Sequence, residues 1–406
     1  MKYKIVMILA LAMGLLTGCA ASGETENRDS VAENELFNDV EVQEITDERI
    51  GGEDDEIIIS ATDVYNMYYD AQSVDIMPPF EAILNAFSNM NYVAVDDSNQ
   101  LDMTNYSRLV EFINKYKRKE TDELTVLRLN EYGGLAEYIM ETFDGNVSVF
   151  RKMYQFENGG FTLLDSADYV VEVFEYTPEG YLMIEGHCDS EQMYVLSLSD
   201  EEEHIALRVL PMEADLRELT RKYFGNVSYS LNNIFITSWS QEDFANVDFY
   251  DVFEMFYEDY YGKPMPYVMS EDLSVGSEYE VPAKEFEDVV MAYFPVGVDD
   301  LRLRLRYNSD SDCYNFRPRG FSEYDYAEIP YPEVTSYTEE GGVITLEVNA
   351  VFPTDNTSKL FSHEVTIKDE DGKITYLGNK IDIEDDSVLW WHTRRMTEGE
   401  WQENYS

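Results

Sequence analysis

The periodicity of the chain changes at Leu124, and that change limits what it can fold into. Before it, apolar residues recur at helical spacing. Ser60-Ala61-Thr62-Asp63 has capping-box spacing ahead of the aromatic run Val64 to Tyr69, so a short helix is expected to start there. Pro78 and Pro79 open a second pattern through Ile83, Leu84 and Phe87, and Leu109, Phe112, Ile113 and Tyr116 form a third stripe. From Leu124 the signal becomes mainly β: Thr125 to Leu129, Ser148 to Phe156, Tyr169 to Tyr176, Tyr181 to Ile184 and Met193 to Leu198. Asn158-Gly159-Gly160, Pro178-Glu179-Gly180 and Asp189-Ser190 punctuate these runs as turns, which predicts an antiparallel meander.

Two helices are expected after the meander. Pro211 opens one, with Met212, Leu216, Leu219 and Tyr223 inward and Gly225 as its stop. Phe249, Val252, Phe253, Phe256 and Tyr260 line the other, which ends at Gly262-Lys263-Pro264. Leu135 to Phe143 also reads as helical and runs into Gly145-Asn146-Val147-Ser148, just as Leu216 to Phe224 runs into Gly225-Asn226-Val227-Ser228, a pattern that suggests a duplicated unit.

The polar connector Glu271 to Val281 precedes a last unit. Pro282 opens a helix with Phe286, Val289, Val290, Tyr293 and Phe294 on one face, closed by Pro295. Three alternating segments follow. Leu301, Leu303 and Leu305 alternate with Arg302, Arg304 and Arg306, Ile344 to Phe352 alternates likewise, and Phe361 to Ile367 leads through Asp369-Glu370-Asp371-Gly372 to Ile374–Leu377.

A helix on a curved antiparallel sheet resembles the cystatin-like and NTF2-like cones. More narrowly, Val343 to Val351, His363 to Ile367 and Tyr376-Leu377-Gly378-Asn379 resemble an uncharacterised lipoprotein family of gut Gram-positive bacteria. The resemblance implies a location and an architecture but no chemistry. The expected class is α+β, with a helix-plus-meander region over 57–270, a cystatin/NTF2-like domain over 277–383 and a tail over 384–406.

The N-terminus carries an address. Lys2 and Lys4 precede an apolar stretch, Ile5 to Leu16, that is too short to span a bilayer. It runs into Leu16-Thr17-Gly18-Cys19, which resembles the bacterial lipobox. The expectation is a signal peptide over 1–18, lipid on Cys19 and stable attachment to a membrane. Residues 19–56 are dominated by Asp and Glu with few large apolar residues, the composition of a solvated tether.

Across 406 residues, 82 acidic against 29 basic side chains give a net charge of −53. Such a chain repels nucleic acid; a small ligand or another envelope protein remains open as partner. With Cys19 lipidated, Cys188 and Cys313 are left and permit one disulfide or two free thiols. No phosphate loop, nucleophile elbow or zinc-protease helix is present, the four histidines are scattered, and neither a metal nor a cofactor is expected. Asp96 to Asp102 lacks the turn glycine and closing glutamate of a calcium loop and reads as a polar turn. Trp390-Trp391-His392 is expected to pack back on the body.

The basic concentration is Arg302, Arg304 and Arg306, with Arg317 and Arg319 downstream. As a strand, period two places the first three on one face, where they either hold an anion or pair with the protein's own carboxylates. The leading function is a non-catalytic binding module at the cell envelope. A carboxylate-dependent hydrolase of glycan or peptide and a passive structural component are the alternatives.

Overall fold

The computed structural model describes residues 56–69, 77–188, 201–225, 227, 229–268, 277–319, 329–381, 383, 389 and 391–405. The expected signal peptide, Cys19 and the tether up to residue 55 lie outside the described residues, as do Met193 to Leu198 and the junction 269–276. Residues 52–406 form one compact unit. Its class is α+β.

Helix α1 (Glu56–Tyr68) starts four residues before the expected Ser60 cap, because Ile57 and Ile58 already pack on the core beneath it. Helices α2 (Met77–Asn89) and α3 (Tyr106–Lys117) lie where their apolar spacing predicts. Between them runs β1 (Val93–Asp96), buried along its whole length.

The meander follows as β2 (Asp122–Leu129), β3 (Gly134–Phe143), β4 (Asn146–Glu157), β5 (Gly160–Tyr176), β6 (Tyr181–Cys188) and β7 (Glu201–Arg208). The seven strands lie in sequence order, with β1 parallel to β2 and every later pair antiparallel. The long β5 makes the sheet curl: residues up to Val170 pair with β4, and those from Val171 pair with β6.

Leu135 to Phe143 is therefore a strand, and the duplicated helix disappears with it. The misreading has a physical cause. Helix α3 covers Val126, Tyr138 and Met140 on one face, while α1 and α2 cover Leu127, Leu129 and Leu135 on the other. A strand buried on both faces loses its polar alternation. Gly145 is not a helix stop but half of a hairpin turn: Asp144 and Gly145 take φ of 50° and 79°. Asn158-Gly159 (54° and 85°) and Asp371-Gly372 (56° and 87°) close two more hairpins in the same way, as type I′ turns require.

The C-terminal part is built from α4 (Ala214–Phe224), β8 (Trp239–Ser240), α5 (Phe249–Tyr261), β9 (Tyr279–Pro282), α6 (Ala283–Tyr293), α7 (Val298–Arg304), β10 (Tyr307–Asn308) and β11 (Cys313–Phe316). Strands β12 (Tyr331–Glu340), β13 (Val343–Val351), β14 (Ser362–Glu370) and β15 (Lys373–Ile381) and the terminal helix α8 (Glu398–Tyr405) complete it. One sheet has the order β12-β13-β14-β15-β8 and a smaller one β10-β11-β9.

A single aromatic core runs from Tyr223 to Trp391. Phe253 and Tyr314 stack on Phe286 at 4.6 and 4.5 Å, and Phe256 stacks on Tyr293 at 4.1 Å. Helices α4 and α5, which the sequence grouped with the N-terminal region, thus belong to the core of the C-terminal sheet. Tyr260 is the exception on α5's expected apolar face and points to solvent. A small cluster of Tyr181, Met183 and Ala206 against Val351 and Tyr331 joins the meander to this core.

The alternating Leu301–Arg306 segment is not a strand. Asp299 and Asp300 sit in the first turn of α7 and Arg302 and Arg304 in its last, the order that complements a helix dipole. Leu301 is buried while Leu303 is 85% exposed, so the alternation never described a sheet face.

Candidate functional site

A cavity of about 690 Å³ opens beside the N-terminus of α5. Asn233 and four stretches far apart in sequence contribute to its wall: 244–251, 304–306, 315–317 and 392–401. Asp248 caps α5, its carboxylate accepting hydrogen bonds from the amides of Tyr250 (2.9 Å) and Asp251 (3.4 Å). Burial, with Asp251 one turn on, pushes the Asp248 carboxyl up.

A buried ion cluster borders the cavity through Asp251 and Arg395. Arg319 Nη2 donates to Asp251 Oδ2 at 2.7 Å, and Arg395 Nη2 donates to Asp251 Oδ1 at 2.6 Å and to Glu254 at 2.7 Å. Arg319 also donates to the carbonyls of Leu231 and Thr393, and Arg395 to that of Arg317. The cluster ties the C-terminal tail to α5. Trp391 of that tail is buried, with its ring 6.1 Å from Tyr229.

The expected arginine face is dispersed over α7 and the two residues after it. Arg302 points away from the cavity, donating to Glu287 at 2.7 Å and lying over the Tyr307 ring. Arg304 and Arg306 reach the cavity wall together with Arg317, Arg394 and Arg395. Glu278 receives Arg306 at 2.5 Å and Arg317 at 3.4 Å, while Glu398 of α8 receives Arg317 at 2.5 Å and Arg306 at 3.0 Å. Arg394 pairs with Glu400. Among the described residues, exposed Arg304 is the wall cation that makes no ion pair.

His392 also lines the cavity. Burial and nearby Arg319 lower its pKa to about 4, so the ring is neutral at pH 7 and presents one donor and one acceptor.

The chain belongs to DUF6070. The match to this family of unknown function covers residues 47–395. It therefore spans the arginines of the wall and the Asp251 cluster, while α8 lies beyond it. No curated protein and no solved structure matches the chain.

A second cavity, about 350 Å³, lies where the meander meets β12 and includes Glu179, Arg208 and Glu333. Burial raises the Glu333 carboxyl, but both its oxygens are engaged, by Arg208 (3.1 Å to Oε1) and by the hydroxyl of Tyr181 (2.5 Å to Oε2).

Cys313 is a free thiol with Sγ 3.3 Å from the carbonyl of Ser311, and the side chain of Cys188 lies outside the described residues. Among the described residues no group of three or more His, Cys, Asp or Glu is placed to hold a metal. Asp96 is a buried turn organiser, accepting from Ser98, Gln100 and Leu101 at 2.7–2.8 Å. Sequence reasoning missed Asp251, Arg395 and Glu398. The adjacent Arg394-Arg395 in an acidic tail was the one available signal.

Proposed function

We propose that this chain is a lipid-anchored binding protein outside the cytoplasm, and that the cavity beside α5 takes a small anionic ligand. The observation that carries the reading is an arginine-rich wall in a chain of net charge −53, with Arg304 exposed and making no ion pair among the described residues. A charge of that size disfavours anions everywhere except where cations are gathered. Five wall arginines face three wall carboxylates, Asp248, Asp251 and Glu398. Neutral His392 and the apolar sides of Phe244, Val247 and Leu305 supply a donor, an acceptor and a dry surface.

A cystatin- or NTF2-like plan for the C-terminal part, with α6 beside an antiparallel sheet, belongs to the same reading, although the cavity itself is walled by α5, α7, β11 and the tail. Hydrolysis by paired carboxylates is less well supported. Glu333 has the raised pKa such a mechanism needs, but Arg208 and Tyr181 occupy the oxygens that would face a substrate.

For the address, support comes from the signal-peptide pattern ending at Cys19. Among the described residues no helix is long and apolar enough to cross a membrane. Cys19→Ser is expected to abolish fatty-acid labelling and move the protein from the membrane to the soluble fraction; continued sedimentation with membranes would overturn the anchor.

The cavity is tested by titration calorimetry with a panel of mono- and dicarboxylates, phosphate and sulfated sugars. Arg304→Ala is expected to weaken binding about tenfold, the size of one charge-assisted hydrogen bond. Arg302→Ala is expected to leave it unchanged. Equal loss in both variants would mean a general charge effect, and no binding by any anion would reject the reading.

A further inference from the structure

Helix α8 contacts the cavity in an unusual way. Glu398 lays its carboxylate on two guanidinium groups at once: Oε2 is 2.5 Å from Arg317 Nη1 and 3.0 Å from Arg306 Nη1, and Oε1 is 3.4 Å from Arg317 Nη2. The Trp401 ring, one turn on, lies 4.8 Å from the Arg317 guanidinium. A carboxylate in a guanidinium fork with a flat ring beside it is how a protein commonly holds an aromatic or sugar acid.

We propose that Arg306 and Arg317 form a carboxylate subsite of this cavity, and that Glu398 fills it as an intramolecular stand-in until a carboxylate ligand displaces it. The inference rests on the cavity being a ligand site.

Three observations support it. The two arginines have partners besides α8: Glu278 accepts from both, the Tyr250 hydroxyl accepts the Arg306 amide at 2.8 Å, and the Arg317 carbonyl accepts from Arg395. The subsite would therefore persist if α8 left. The clamp is also weak enough to exchange. Arg306 and Glu398 are each about one-third exposed and Arg317 is 17% exposed, so solvent reaches both ion pairs, and an eight-residue helix has scant stability of its own. Thr397 and Glu400 cap α8 reciprocally, the Thr397 amide donating to Glu400 at 2.9 Å, so the helix can detach as a unit. Finally, α8 lies outside the family match at 47–395, whereas both arginines lie inside it.

Exchange of Glu398 for a ligand carboxylate leaves no guanidinium unpaired, so the ligand class is a carboxylate. A ring face is favoured because it can replace Trp401 against Arg317. The test uses the full-length chain, the Glu398→Gln variant and a chain ending at Met396, titrated with acetate, benzoate and galacturonate, with galactose and inorganic phosphate as comparators. Removing the competitor is expected to tighten carboxylate binding about five- to tenfold in both altered chains. Benzoate and galacturonate should bind more tightly than acetate, and Arg317→Ala should abolish binding in every background. Hydrogen exchange supplies a readout free of ligand: Glu398→Gln should speed exchange of the α8 amides and leave α5 and α6 unaffected.

Carboxylates that bind all three chains equally would overturn the stand-in while leaving the cavity reading intact. Phosphate binding in place of carboxylates would overturn the ligand class. Unchanged α8 exchange in Glu398→Gln would overturn the clamp, and no binding by any chain would reject the cavity and the subsite together.

Discussion

Asp251→Ala is expected to destabilise the protein by about 3 kcal/mol, measured as a lower urea midpoint at unchanged slope, because it leaves two buried guanidinium groups without their shared carboxylate. Asp251 is 2% exposed, and the side chains of Arg319 and Arg395 are 5% and 10% exposed. Breaking such a cluster costs more than its formation contributes, since each orphaned charge stays desolvated. The loss is placed at the lower end of the usual range because Arg395 keeps Glu254 and both arginines keep carbonyl acceptors. The effect should spread along the tail: Thr393 and Arg395 are docked through this cluster, so Trp391 should become more accessible to quenchers. Replacing all three by apolar residues of similar volume, as Asp251→Leu with Arg319→Met and Arg395→Met, should recover much of the loss. A triple variant as unstable as Asp251→Ala would show that the cluster's hydrogen bonds to the backbone, rather than its charge balance, hold the tail.

That cluster also shows where sequence reading stops. Asp251 lies 68 residues from Arg319 and 144 from Arg395, and no periodicity links residues so far apart. The cavity is hidden for the same reason, its wall being assembled from separated stretches. Elements with one wet and one dry face were legible. The stripe Phe286, Val289 and Val290 became α6, and the alternation at Ile344 to Phe352 became β13. Strand β3 was not legible because helices cover both its faces, and the pattern of two needs one face in water. Residues Leu301 to Arg306 failed in the opposite sense. Their alternation is real, but the Asp299-Asp300 start and the arginine finish suit a helix, and only Leu301 among the first two leucines is buried. The Asp144-Gly145 turn was available as a hairpin signal and argued against the helix read beside it. For the candidate site, Arg304, Arg306 and Arg317 lie on the cavity wall while Arg302 turns away to Glu287, a split that period-two spacing does not predict.

His363 should make the fold labile to mild acid. Its ring is 2% exposed, with Nδ1 2.7 Å from the Asn379 side-chain oxygen and Nε2 2.9 Å from the Tyr229 hydroxyl. The rings of Phe224, Phe235 and Phe361 surround it. Burial lowers its pKa from 6.5 to about 4, against a smaller upward pull from Asn379. The sign follows from proton counting. Between pH 6.5 and 4 the unfolded histidine binds a proton that the folded one refuses, so the contribution is complete above pH 6.5 and is lost as pH falls toward 4. Over that window the loss is roughly 3 kcal/mol. Acidic side chains titrate at the lower end of the same range, and relief of a −53 charge works in the opposite direction, so the effect must be read as a difference. His363→Gln keeps donors and acceptors near Tyr229 and Asn379 but has nothing to titrate. At pH 7.5 the wild type should be the more stable of the two, because the imidazole fills its aromatic cage, and that lead should shrink steadily between pH 6.5 and 4 as measured by urea unfolding at each pH. His392 is present in both proteins and cancels. A lead that stays constant across the window would mean that His363 remains neutral in the unfolded chain as well, or is protonated in place, and either would remove the buried histidine as the source of acid sensitivity.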